Sequence, residues 1–121
     1  MTEIHEGGCV CGAVRYKTRG EPQRVSLCSC RWCQRRTGSA FGISVYFRKE
    51  DVEISGPLKA YRQKSDAGRW LQSEFCETCG SSVTWTLEFL PDYRGIAGGT
   101  FDAPSFWYKP ARYVYSSTKP D

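Results

Sequence analysis

A mainly β fold with one or two short helices is what this sequence predicts. Three observations point there: short alternating runs of β-branched and aromatic residues, turn residues between them, and little room for a helical period. Residues 13–18 alternate, as do parts of 41–47. Val52–Ser55 and residues 58–61 are two further short runs set apart by Gly56-Pro57. Residues 70–75 lead straight into Cys76, residues 82–86 leave the turn at Gly80, and residues 113–115 read as a last short strand. A meander is expected. Helix is expected for a turn or two after Cys30, through Trp32, Gln34 and Arg35 and stopped by Gly38, and again from Asp102-Ala103-Pro104.

With 121 residues, residues 1–121 make one domain of ordinary size, and no repeat, low-complexity stretch or linker divides them. No run approaches the ~20 apolar residues of a membrane span, and the first residues lack the pattern of a signal peptide. A cytoplasmic protein with no membrane partner is the expectation. The formal net charge of +4 is modest for a nucleic-acid binder, and Glu74, Glu77, Glu88 and Asp92 make the later half less basic.

Chemistry enters with the seven cysteines. Their number is odd, Cys9 and Cys11 are separated by one residue, as are Cys28 and Cys30, and a reducing compartment is expected. Metal thiolates therefore account for them better than disulfides do. Cys76-Glu77-Thr78-Cys79-Gly80 has the outline of a zinc knuckle, whose two thiolates need two more ligands. Cys9 and Cys11 supply them, closing a four-cysteine structural site across a long loop. That leaves Cys28, Cys30 and Cys33 as three ligands with a fourth position open, which is what catalytic zinc requires. The competing reading is a triplet completed by His5 or a carboxylate and purely structural. His5, the only histidine, is expected to be solvated in a mobile N-terminus. From Pro22 to Lys49 there is no acidic residue, whereas Arg31, Arg35 and Arg36 surround the triplet and are candidates to balance its charge or to hold a carboxylate.

Four segments carry a resemblance: residues 8–16 (GCVCGAVRY), residues 28–38 (CSCRWCQRRTG), residues 75–81 (FCETCGS) and residues 98–102 (GGTFD). In them the chain resembles the glutathione-dependent formaldehyde-activating enzyme family, also called centromere-protein-V-like. It departs from that family's pattern at Ser29, where many members have histidine, and at Arg112. The resemblance implies an Mss4-like β tent of antiparallel sheets stapled by zinc, with structural zinc on the outer cysteine pairs and catalytic zinc on the middle triplet. It also implies a carbon–sulfur lyase that adds glutathione to formaldehyde.

If the chain is such an enzyme, Cys28, Cys30 and Cys33 carry the catalytic zinc. Glutathione sulfur takes the fourth position, Arg31, Arg35 or Arg36 holds a carboxylate of the ligand, and Trp32 walls off water. The expected partner is then a small-molecule thiol or aldehyde adduct. The alternative is a binding module without chemistry, in which two zincs stiffen a surface for a protein or nucleic-acid partner. Methionine sulfoxide reductases share such a zinc site and β tent but carry their catalytic cysteine beyond the second knuckle, and the lack of a cysteine after Cys79 argues strongly against that chemistry.

Overall fold

In a computed structural model, which describes residues 3–64 and 68–108 and the backbone of residues 112–114, the chain forms two β-sheets and one short helix. The strands are β1 (Ile4–Gly8), β2 (Arg15–Arg19), β3 (Arg24–Cys28), β4 (Gly42–Arg48), β5 (Val52–Ser55), β6 (Leu58–Lys64), β7 (Trp70–Cys76), β8 (Ser82–Leu87), β9 (Leu90–Ala97) and β10 (Arg112–Val114). The helix α1 spans Arg31–Thr37 between β3 and β4. The smaller sheet has the order β1-β2-β5 and the larger β10-β3-β4-β9-β8-β7-β6. All named pairs are antiparallel except β10 with β3. The expected meander is the run β6-β7-β8-β9. Among the described residues no helix is long and apolar enough to cross a membrane.

Three strands lie where the sequence offers no clear pattern. β1 ends in two glycines, β3 alternates only at Val25 and Leu27 beside the cysteines, and β9 begins Leu-Pro-Asp, which reads as a turn. The tail of the last expected strand, Tyr115, lies outside the described residues. No helix forms at Asp102-Ala103-Pro104, where the chain runs through bends and turns to Tyr108. Asp102 is not free to cap a helix. Its amide donates to Glu6 O at 2.9 Å and its carboxylate takes both guanidinium nitrogens of Arg15, at 3.1 and 2.5 Å. Phe101, Trp107 and Tyr108 then turn inward onto one another rather than along a helical stripe.

That segment joins the sheets. The main core packs Tyr16 of the small sheet, and Val14 just before β2, against Val25, Val45, Phe47 and Ile96 of the large one. Thr100 Oγ1 meets the Tyr16 hydroxyl at 2.7 Å, and Phe101 bridges to Gly7. His5 is fixed here too, contrary to the expectation of a mobile terminus. Its ring lies flat on Trp107, with centroids 3.5 Å apart, and it bonds Glu3. Aromatic burial has overridden terminal fraying, because β1 is held by five register pairs to β2.

The other face of the large sheet carries a second cluster of Leu71, Trp85 and Leu87, with Trp32 of α1 and Tyr46 packed on it. Gly95 makes room for this layer: a Cβ there would lie 2.2 Å from Trp85 Nε1 and 2.7 Å from two ring carbons. Trp85 is fully buried and cannot swing away. Gly95→Ala is therefore expected to cost about 1–3 kcal/mol as overpacking, lowering Tm by roughly 5–10 °C in a thermal melt followed by circular dichroism. An unchanged Tm would show that this layer yields freely.

Candidate metal centres

The two groups expected from spacing are both assembled. The sulfurs of Cys9, Cys11, Cys76 and Cys79 lie within 4.8 Å of one another, as do those of Cys28, Cys30 and Cys33. Neither His5 nor any carboxylate among the described residues joins the triplet, so its fourth place is not filled by this chain's side chains there.

The four-cysteine group ties the turn after β1 to the turn between β7 and β8. Cys9 and Cys11 Sγ are 3.6 Å apart, and Cys11 and Cys76 Sγ are 3.7 Å apart. A disulfide needs about 2.05 Å, whereas four sulfurs around a tetrahedral ion at about 2.3 Å are separated by about 3.8 Å. The donor set fits a tetrahedral metal. Backbone amides complete the cradle: Val14 N lies 3.2 Å from Cys9 Sγ, Ala13 N 3.5 Å from Cys11 Sγ, and Thr78 and Cys79 N 3.4 and 3.5 Å from Cys76 Sγ. Gly80 takes φ 81°, the left-handed conformation that lets the knuckle close. Ser81 bonds Cys79 Sγ at 3.1 Å through its hydroxyl, which also accepts from Val10 N. The Ser81 hydroxyl and amide hold the Cys79 thiol down to about 5.

The triplet is built by the β3–α1 junction. Cys28 ends β3, Cys30 is the N-cap of α1 with extended backbone, and Cys33 lies one turn in, its amide 3.5 Å from Cys30 Sγ. Gly38 closes the helix in the left-handed conformation at φ 69°, as expected from sequence. Cys28 and Cys33 are buried and Cys30 is half-buried. Without a cation three adjacent sulfurs cannot all ionise. Hydrogen bonds from Cys28 and Cys33 pull Cys30 down strongly, while the same sharing, followed by burial, pushes Cys33 up. A divalent ion removes that conflict, since all three then bind as thiolates.

The three arginines part company. Arg31 and Arg35 are exposed on α1, with Arg31 Nη1 donating to Gln34 Oε1 at 2.6 Å. Arg36 turns inward, its guanidinium 3.9 Å from the Trp85 ring centroid and 5.2 Å from that of Trp32. Trp32 is half-buried and meets Trp85 edge-on at 5.9 Å. Burial draws the Arg36 pKa down and the neighbouring Cys33 opposes this. Among the described residues its Nε and Nη2 have no hydrogen-bond partner. The position is made by Gly42, the register partner of Cys28, where a Cβ would lie 2.7 Å from Arg36 Nη2 and 3.4 Å from Cys33 Cβ.

Sequence reasoning brought the cysteines together but missed this stacked Arg36–Trp85 pair. The two residues are far apart in the chain, and the signal available was only a glycine, Gly42, in an otherwise bulky strand.

Comparison with known proteins agrees with this architecture. A protein of Schizosaccharomyces pombe named an uncharacterized lyase is 28% identical over 107 residues, covering 82% of this chain and 75% of the relative. A crystal structure of a Rhodobacter sphaeroides protein superposes with a TM-score of 0.68 at 21% identity, covering 90% of this chain and 99% of that one, and so shares the fold. Residues 4–118 match the sequence profile of the family described as glutathione-dependent formaldehyde-activating enzyme. With the cysteine groups, the two sheets and this match in agreement, the chain belongs to the glutathione-dependent formaldehyde-activating enzyme family.

Proposed function

We propose that the protein is a zinc-dependent enzyme of the carbon–sulfur lyase type that joins a thiol such as glutathione to a small aldehyde, or releases the two from their adduct. The observation that carries this reading is the inequality of the two clusters: four thiols complete a tetrahedral shell, whereas three leave a place for a ligand. The family description and the name of the yeast relative support it. Cys9, Cys11, Cys76 and Cys79 hold the structural zinc in this reading, and Cys28, Cys30 and Cys33 the catalytic one.

Zinc in the triplet would supply Lewis acidity, holding as a thiolate a ligand thiol whose ordinary pKa is about 8.5. The chain's own residues do the rest. Arg36 sets one positive charge beside three thiolates, so that their excess negative charge is balanced in a place water reaches poorly. Arg31 and Arg35 offer exposed guanidinium groups to the carboxylates of a peptide thiol. Trp32 covers the helix side of Arg36 and excludes water there. The reaction is balanced without redox change. The sulfur–carbon bond forms, the carbonyl π bond opens, and the thiol proton ends on the new hydroxyl.

Zinc per chain, measured on freshly purified protein before and after mild chelation and with or without glutathione, tests this directly. Two zincs are expected, one lost first and retained when glutathione is present. One tight zinc indifferent to glutathione would overturn the division of labour.

A further inference from the structure

A cavity of about 240 Å³ opens beside the triplet and has no part in holding the metal. It is reached through shared residues: Arg36, Thr37 and Gly42 all line it, and Gly42 faces Cys28 across the β3–β4 register and stands next to Cys33. Its walls are Phe41, Ile43, Ala97 and Phe106, with Ser39 as a second hydroxyl residue beside Thr37 and with Gly98 and Gly99 leaving backbone as part of the surface. Phe41 and Phe106 are 37% and 64% exposed, so two aromatic rings stand partly in solvent at this place.

The character of that lining decides what fits. No acidic residue is among the described residues lining it, so nothing there meets the ammonium of a γ-glutamyl group. Arg36, the one charged residue among the described residues lining it, is stacked on Trp85 beside Cys33, and its unpartnered Nε and Nη2 are closed off from solvent. A zwitterionic peptide placed here would dehydrate its ammonium with no carboxylate among the described lining residues to meet it. Size excludes the opposite extreme. A dry apolar cavity of about 150 Å³ already accepts a benzene ring, and drug-sized ligands take roughly 300 Å³ or more. One carbon of formaldehyde would leave most of the space unfilled.

Resting on the carbon–sulfur reading above, we infer that this cavity is a subsite for an apolar substituent on the carbonyl component, of about the size of an aromatic ring or a short branched chain. The thiol's peptide arm then lies outside the cavity, toward exposed Arg31 and Arg35. The substrate class is an aldehyde R–CHO with R apolar, rather than formaldehyde alone. Bond making is as before: sulfur bonds the aldehyde carbon, the carbonyl oxygen takes the thiol proton, and R keeps its carbon–carbon bond and sits between Phe41 and Phe106.

Gly99 gives a clean way to close the cavity. Its backbone is outside the left-handed region, and a Cβ added there meets nothing within 4 Å, so the fold accepts a side chain at this position of the cavity wall. Gly98 offers no such route, since its Cβ would lie 2.3 Å from the Tyr108 hydroxyl.

The probe is 4-fluorobenzyl alcohol, which carries the ring and cannot react, titrated by fluorine NMR into the metal-loaded protein and into Gly99→Ala and Gly99→Leu. Saturable binding that weakens stepwise, by at least tenfold in Gly99→Leu, is expected. In parallel, the ratio of kcat/KM for phenylacetaldehyde over formaldehyde, each with glutathione, is expected to fall at least tenfold in Gly99→Leu. Ring binding blocked by Gly99→Leu in a protein that forms no adduct with either aldehyde would uphold the subsite and overturn the carbon–sulfur reading. Turnover of formaldehyde with no saturable ring binding to the wild-type protein would overturn the subsite and leave that reading standing. Should Gly99→Leu fail to fold, the wild-type titration and Gly99→Ala still decide the matter.

Discussion

Cys79→Ala is expected to abolish cooperative folding. Cys79 is exposed at the tip of the β7–β8 turn, so removing its sulfur opens no cavity, and any large loss of stability reports the metal rather than packing. The same change at Cys76 would be ambiguous, because that side chain is fully buried in the core. The four-cysteine group joins Cys9 and Cys11 to Cys76 and Cys79, with Cys11 and Cys76 separated by 65 positions in sequence, and so fastens the start of the small sheet to a hairpin of the large one. Structural zinc contributes about 10–16 kcal/mol in small zinc-dependent folds, whereas domains of this kind have a net stability of about 5–15 kcal/mol. Losing one of four ligands is therefore enough to remove the whole margin. Loss of the near-ultraviolet circular dichroism signal and of a sigmoidal melt would bear this out. A Tm within about 4 °C of the wild type would sink the structural assignment.

The second large effect is at Cys30, and it falls on function rather than fold. Cys30→Ser keeps an acceptor at the N-cap of α1, where loss of a cap costs only about 0.5–2 kcal/mol in any case, so the protein stays folded. One metal per chain is lost. Because removing residues that merely orient ligands reduces metal affinity or activity by about 10–100-fold, removing a ligand itself should reduce adduct formation by more than about a hundredfold. The paired measurement is zinc content with turnover on the same sample. Unfolding equal to that of Cys79→Ala would mean that both clusters are structural, and full activity with one zinc would mean that the triplet takes no part in the reaction.

The sequence by itself determined much of this. Cysteine spacing set which neighbours share an ion, since ligands two or three residues apart can reach the same metal without help from distant contacts, and the count of four ligands paired Cys9 and Cys11 with Cys76 and Cys79. Period-two runs with turn residues between them located most strands, and Gly38 ended α1 where a left-handed C-cap was needed. Local signals of this kind survive in sequence because their partners are near in the chain.

Tertiary structure alone decided the rest. Asp102-Ala103-Pro104 has the composition of a helix start, but Arg15, 87 residues away, claims the Asp102 carboxylate. His5 reads as a solvated terminal residue and is instead stacked on Trp107. Arg36 is one of three similar arginines in sequence, and only the arrival of Trp85 and the bare backbone of Gly42 turn it inward beside Cys33. The cavity beside the triplet likewise draws on α1, β4, β9 and the turn that follows it. Pairings between residues this distant depend on which faces of the sheet meet. A shift of one residue in register would reverse them all, so no local pattern encodes them.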